Sequence, residues 1–256
     1  MRSSGCVFAE DEADLLMAVA ATGAELERMV SSRVAGLPLE QVIGWAEFCG
    51  QRILIAPGVF VPRRRSEFLV AQAIAAGNST AGRRSLPGTV VLDMCCGSGA
   101  VGLVVATALG QADLHAADVD AGAVRCATAN LDPHGGHVYQ GDLYGPLPTA
   151  LRGRVDVLIA NAPYVPSSEI RFLPAEARLH EPLVALDGGA DGVEIQRRVA
   201  AGAPDWLAPG GHLLIETSQR QAPLTAAAVT SAGLTARIAA DEELAAAVVI
   251  GSRPGH

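Results

Sequence analysis

The residues of this sequence best able to do chemistry gather where apolar runs end. The run Val157 to Ala160 closes on Asn161-Ala162-Pro163-Tyr164. A carboxamide is a poor general base but a good hydrogen-bonding partner. It suits a nucleophile whose difficulty is orientation, such as an amide or exocyclic amine nitrogen with a conjugated lone pair. The Asn161 oxygen and the Ala162 carbonyl can together accept both N–H bonds of an NH2 group, aim its lone pair and stabilise positive charge developing on nitrogen. Pro163 restricts Ala162 to extended conformations and so fixes the direction of that carbonyl. Tyr164 offers an aromatic face to a planar group; taken in isolation it reads as a half-buried core tyrosine.

A second constellation surrounds Gly97-Ser98-Gly99-Ala100-Val101-Gly102, a G-x-G-x-x-G pattern between an apolar strand and a helix. Nicotinamide, flavin and adenosyl-methionine sites all use glycines there, and a bare strand-to-helix turn is the plain alternative. Its place at the carboxyl end of a strand, where open α/β sheets bind ligands, favours a site. Asp93 stands four residues before the first glycine. A carboxylate there would repel a dinucleotide pyrophosphate but attract the ammonium of a methionine moiety, whose carboxylate can meet helix-terminal N–H groups. Asp118 ends the next strand, where an acid can accept from both ribose hydroxyls of an adenosine, whichever cofactor carries it. Asp120 reads instead as a helix cap. Asp142-Leu143 can flank an adenine, with the acid accepting from the exocyclic amine; a loop aspartate in a turn is the equal alternative.

The elements that position these residues follow from periodicity. Residues 9–35 predict two short helices, with Thr22 and Glu25 at capping-box spacing. Residues 45–56 predict two strands turning at Cys49-Gly50-Gln51, followed by a proline-bounded loop, PGVFVPRRRSE, and a helix over 66–76. The polar, turn-rich stretch 77–88 reads as a linker. Strands are predicted at 89–94, 113–118, 137–140, 155–160, 212–217, 234–239 and 246–251, with helices after the first two and helix-forming residues near 225–228. Apolar strands alternating with helices imply a largely parallel sheet covered on both faces. Only AADEELA joins the last two strands, which therefore pair antiparallel.

The whole-chain numbers set bounds. A chain of 256 residues supports one full-sized domain with a small appendage, and a formal charge of −8 gives no general attraction to nucleic acid or anionic membrane. Five cysteines (Cys6, Cys49, Cys95, Cys96 and Cys126) form no C-x-x-C pair, which argues for reduced thiols in a cytoplasmic protein and against a zinc site. Vicinal Cys95 and Cys96 read as small residues in a tight turn rather than a redox pair. The first residues lack a signal-peptide pattern, and no run is long and apolar enough for a membrane span. His134 and His137 share a loop without thiolate or carboxylate company, and His180, beside Glu181-Pro182, reads as a surface loop histidine, with a proton relay as the alternative.

With these residues in view, the sequence resembles the HemK-type (PrmC-type) glutamine methyltransferases. DMCCGSGAVGL is similar to their cofactor loop, AADVDAGAV to their ribose-binding strand end, and IANAPYVP to their N-P-P-Y signature. LPLEQVIGWAEFCGQRILIAPGVFVPRRRSEFLV resembles the family's hairpin and P-R-P-x-T-E loop, and HEPLVALDGGADG and GGHLLIETSQRQ are also similar, so the likeness covers about 36–251. It implies a class I methyltransferase fold: α/β, a Rossmann-like seven-stranded sheet with an antiparallel last strand, a small N-terminal helical region (1–42), a β-hairpin linker (43–62) and the methyltransferase domain (63–256). It implies S-adenosyl-methionine as methyl donor, held by Cys95, Cys96, Gly97, Ser98, Gly99, Asp118, Leu143 and Asn161, to which the reading of the residues adds Asp93 and Asp142. It further implies a glutamine amide held by Asn161, Ala162, Pro163 and Tyr164, with Phe60 and Arg63 on the substrate side and the GGQ motif of a peptide release factor as partner. Neither metal, nucleic acid nor membrane is expected. The sequence departs from the family pattern at Ala162, in place of a proline, at Arg64 and Arg65, and at Ser218, in place of a glycine; its N-terminal helical region is also short. The competing readings are a nucleic-acid amino methyltransferase, a retired cofactor-binding fold and a small-molecule N-methyltransferase.

Overall fold

In the computed structural model, residues 8–80, 88–110 and 112–255 are described; Cys6 and the part of the expected linker at 81–87 lie outside them. Three helices come first: α1 (Ala9–Val19), α2 (Gly23–Val34) and α3 (Leu39–Ile43). Thr22 caps α2 by accepting from Glu25 N at 3.2 Å, and Glu25 reaches back to Ala21 N at 2.9 Å, one residue earlier than a standard capping box. Strands β1 (Trp45–Phe48) and β2 (Gln51–Leu54) pair antiparallel through Cys49 (φ 50°) and Gly50 (φ 72°). Two successive left-handed residues make the tight turn that matches strand twist.

Helix α4 (Ser66–Thr80) is longer than its apolar pattern suggests. Gly77 does not break it: a Cβ there would lie 2.7 Å from Leu109 Cδ1, so this glycine lets two helices approach. The linker expected from residue 77 is therefore helical as far as Thr80.

The alternating half then runs β3 (Thr89–Met94), α5 (Ala100–Leu109), β4 (Ala112–Asp118), α6 (Ala121–Leu131), β5 (His137–Gln140), β6 (Val155–Ala160), α7 (Ala175–His180), α8 (Glu194–Trp206), β7 (Leu207–Thr217), α9 (Ala222–Ser231), β8 (Thr235–Asp241) and β9 (Ala246–Ser252). The seven-stranded sheet has the order β5-β4-β3-β6-β7-β9-β8, with β9 antiparallel to both neighbours. The order reverses between β3 and β6, which makes their carboxyl ends the place where an open sheet of this kind admits a ligand. Asp93 and Met94 lie opposite Ile159 and Ala160, so the glycine loop and Asn161 leave the sheet side by side.

Each face of the sheet carries its own core. Helices α4, α5 and α6 cover one together with the hairpin residues Ala46, Phe48, Ile53 and Ile55, while α8 and α9 cover the other around Val199, Ala203, Trp206 and Val229. Asn130 of α6 ties the hairpin to the glycine loop: it accepts from Leu54 N (2.9 Å) and donates to Leu54 O (3.0 Å) and Ser98 O (2.9 Å). The Gln41 side chain joins α3 to the segment after β2, through Val59 O (3.0 Å) and Gly58 N (3.1 Å).

Candidate active site

The turn after β3 is built from unusual backbone. Cys95 (φ 57°), Gly97 (φ 56°) and Gly99 (φ 77°) are all left-handed, and Cys96 N is held to Ala117 O of β4 at 3.1 Å. Leu143, after β5, is another non-glycine residue with positive φ (47°). Both it and Cys95 line the same cavity. Non-glycine residues in this region cost free energy and gather at ligand sites. Nothing in the sequence marks these two as strained.

Asp93 is buried at the end of β3, and its Oδ2 accepts from Gly102 N at 2.9 Å. A Cβ on Gly102 would lie 2.9 Å from both Asp93 Cβ and Oδ2, so the last glycine of the pattern makes room for the acid. Burial pushes the Asp93 carboxyl up to about 7; the Gly102 N–H opposes this and the nearby charge of Asp118 adds to it. Asp118 is aimed by two backbone donors, Gly97 N on Oδ2 and Asp120 N on Oδ1, each at 2.9 Å. Its carboxyl too is raised, by burial. Asp120 caps α6 through Ala123 N at 2.7 Å, as expected of it. Asp142 is exposed and ion-paired with Arg198 of α8.

Across the reversal point, Asn161 donates from Nδ2 to Ser66 Oγ at 3.3 Å. Ala162 is fully buried. The Tyr164 hydroxyl donates to Glu216 Oε1 of β7 at 3.4 Å, the Arg65 guanidinium lies 5.2 Å from the centre of the Tyr164 ring, and Arg65 Nε is 3.4 Å from the same Glu216 oxygen. Burial, reinforced by the Glu216 charge, pushes the tyrosine hydroxyl well above its ordinary range. Ser218 and Gln221 hold this segment from behind. Ser218 Oγ bonds Gln221 Oε1 at 2.6 Å, and Gln221 Nε2 donates to Tyr164 O (2.9 Å) and Asp191 O (3.0 Å).

One cavity of about 830 Å³ joins these groups. Asp93 to Ser98, Asp118 to Asp120 and Asp142-Leu143 line it from the β3–β5 side; Phe60, Arg65, Ser66, Asn161 to Tyr164 and Pro182 to Asp187 also line it. Two expected site residues stand elsewhere. Arg63 pairs with buried Glu181 and covers the Phe60 ring at 4.9 Å, while Arg65 takes the place at the cavity. Gly99 faces the core, where a Cβ would lie 3.2 Å from Leu131, and serves packing rather than the lining. His180 sits outside the lining, with its backbone carbonyl near Gln41. His137 stacks on His115 at 5.2 Å, and among the described residues no group of three His, Cys, Asp or Glu could hold a metal ion. The Cys95 and Cys96 thiols are pushed far up by burial and stay protonated, which fits a structural turn. Ser66, Glu216 and Gln221 escaped the sequence reading, because a serine opening a helix and polar residues at or just past the end of an apolar strand are commonplace.

Comparison with known proteins bears on the family and the fold. A family model for the methyltransferase small domain matches residues 81–189. A release factor glutamine methyltransferase of Geobacter sulfurreducens is 32% identical over 229 residues, which cover 89% of this chain and 77% of that protein. A ribosomal protein uL3 glutamine methyltransferase of Burkholderia pseudomallei is 36% identical over 228 residues, covering 86% and 70% respectively. Among solved structures, a methyltransferase from Pyrococcus furiosus shares the fold with a TM-score of 0.59 at 16% identity, over 88% of this chain and 99% of that one. Among the described residues, no helix is long and apolar enough to cross a membrane.

Proposed function

The chain belongs to the family of release factor glutamine methyltransferases, and from that premise we propose that it methylates the side-chain amide nitrogen of a protein glutamine, with the GGQ glutamine of a peptide release factor as its foremost target. When bound, S-adenosyl-methionine supplies an electrophilic methyl group on a sulfonium, and S-adenosyl-homocysteine is the co-product.

The residues present fit that donor. A carboxylate has about four acceptor sites; two on Asp118 are taken by Gly97 and Asp120, which leaves capacity for two ribose hydroxyls. Asp93, buried and lining the cavity, suits an ammonium, and the turn from Cys95 to Ser98 supplies backbone close to it. Asp142 and Leu143 line the place where an adenine would lie. On the acceptor side, Asn161 Oδ1 and the Ala162 carbonyl would accept the two N–H bonds of the amide, and Pro163 fixes the direction of the second. Phe60 and Tyr164 would flank the planar group, with Arg65 rather than Arg63 at their rim. The loop between β2 and α4 completes this side through Val59, Phe60 and Pro62.

The observation that carries the reading is the continuity of one cavity from Asp118 to Asn161 and Tyr164. An exocyclic base amine would suit the same carboxamide, but a formal charge of −8 opposes the phosphate contacts that a nucleic acid requires. The test incubates the protein with labelled S-adenosyl-methionine and purified release factors and maps the label by mass spectrometry. Label on the GGQ glutamine, lost in Asn161→Ala, is the expected result. Label on a nucleic acid alone, or on no protein, would overturn the proposal.

A further inference from the structure

A carboxamide has two ends of nearly equal size, and only one of them helps an NH2 acceptor. Turned so that Oδ1 faces the cavity, Asn161 accepts an N–H bond; turned the other way, it sets NH2 against NH2. What decides the matter is the partner on the far side of the group. Asn161 Nδ2 lies 3.3 Å from the Ser66 hydroxyl, which is buried in the first turn of α4. That hydroxyl lies beside the Glu216 carboxylate; burial raises this carboxyl, and the contacts with Ser66, Arg65 and Tyr164 oppose the rise by favouring its charged form.

Glu216 is the penultimate residue of β7 and is itself buried. Tyr164 and Arg65 approach its Oε1, and its buried Oε2 makes no hydrogen bond among the described side chains, so acceptor capacity remains. An ionised carboxylate only accepts, and a hydroxyl has one proton to give. If the Ser66 proton goes to Glu216, its lone pairs are left for Asn161, and the only bond Asn161 can make there is a donated one.

Resting on the amide-methylation reading above, we propose that Ser66 is a positioning residue: with Glu216 as the fixed acceptor, it turns the Asn161 carboxamide so that Oδ1 faces the methyl acceptor. The same carboxylate reaches Tyr164, so one buried acid orients both polar side chains of the Asn161–Tyr164 segment.

The test compares wild type with Ser66→Ala, Ser66→Thr and Glu216→Gln. With purified release factor as acceptor, Ser66→Ala should lower kcat by about tenfold to a hundredfold, the scale expected when a reacting group loses its orientation. The Kd for S-adenosyl-methionine should stay within about twofold of wild type by calorimetry, because Ser66 acts on the acceptor side. Ser66→Thr keeps the hydroxyl and should restore kcat. Glu216→Gln can donate toward Ser66, which permits the reversed chain, and should fall with Ser66→Ala. A second readout needs no acceptor: by side-chain ¹⁵N NMR the Asn161 Nδ2 protons should exchange slowly in wild type and faster in Ser66→Ala. Unchanged exchange, or equal losses of kcat in the Ala and Thr variants, would overturn the proposal. If wild type labels no release factor while the exchange difference stands, the function reading fails and the orientation inference survives.

Discussion

The most searching consequence of this geometry concerns pH and Asp93. Its carboxyl is raised to about 7, chiefly by burial. In the ligand-free protein near neutral pH, that acid is therefore only about half ionised. A donor with a cationic ammonium needs the charged form, so its binding should strengthen as pH rises. At pH 5 roughly one molecule in a hundred carries a charged Asp93, against about half at pH 7, so the apparent Kd should be about fiftyfold weaker at pH 5 than at pH 7, where the α-ammonium of the donor is still charged. Folding stability responds in the opposite sense. An acid whose proton affinity is raised by folding contributes stability that is fully present below its unfolded value of 3.8 and is lost as pH rises through about 7. Isothermal titration calorimetry of S-adenosyl-methionine from pH 5 to 8.5, on wild type and Asp93→Asn, checks both directions alongside thermal melts. The variant should bind weakly with a flattened pH dependence, and it should lose less stability than wild type between pH 5 and 8. A wild-type Kd that is level across this range, or an undiminished slope in Asp93→Asn, would refute the argument.

Three further outcomes follow from local packing and hydrogen bonding. Gly188→Ala would place a Cβ 2.5 Å from Gly192 O and 2.7 Å from Tyr164 Cα, both backbone atoms; it should cost roughly 1–3 kcal/mol by chemical denaturation and lower methyl transfer as well. Gln221→Ala removes the donor shared by Tyr164 O and Asp191 O, and should reduce kcat for the acceptor more than it weakens donor binding, as steady-state kinetics with calorimetry would show. Burial raises the Cys49 thiol to about 11, so roughly one in a thousand is ionised at pH 8, and Cys95 and Cys96 are held higher still; native protein should resist iodoacetamide at all three by mass spectrometry, with labelling after denaturation.

Much of the site was legible because it is written in strand ends. Asp93, Asp118 and Asn161 each close an apolar run, and a parallel sheet gathers such ends on one edge whatever their distance in sequence. The illegible part depends on angle rather than order. Arg63, Arg64 and Arg65 are alike in sequence, and only their approach to α4 turns Arg65 to the cavity and Arg63 to Glu181. Gly99 belongs to the pattern that names the loop yet packs on Leu131. Gly77 read as a break because glycine disfavours helices in general, but here contact with Leu109 outweighs propensity. Helix α8 went unmarked: it contains Pro204, and its buried residues include Gln196 along with Val199 and Ala203. The Ser66–Glu216 pairing joins residues 150 positions apart, which no local pattern can reveal.

The insertion of β9 between β7 and β8 has a bearing on how the enzyme comes into being. Glu216 lies opposite Val248, so one flank of its strand is closed by the strand of the sheet that is synthesised last. A nascent polypeptide that has emerged only as far as β8 already holds every lining residue of the cavity, yet it leaves the carboxylate beneath Tyr164 on an unfinished sheet edge. Competence for methyl transfer should therefore arrive abruptly, once β9 has emerged and closed between β7 and β8.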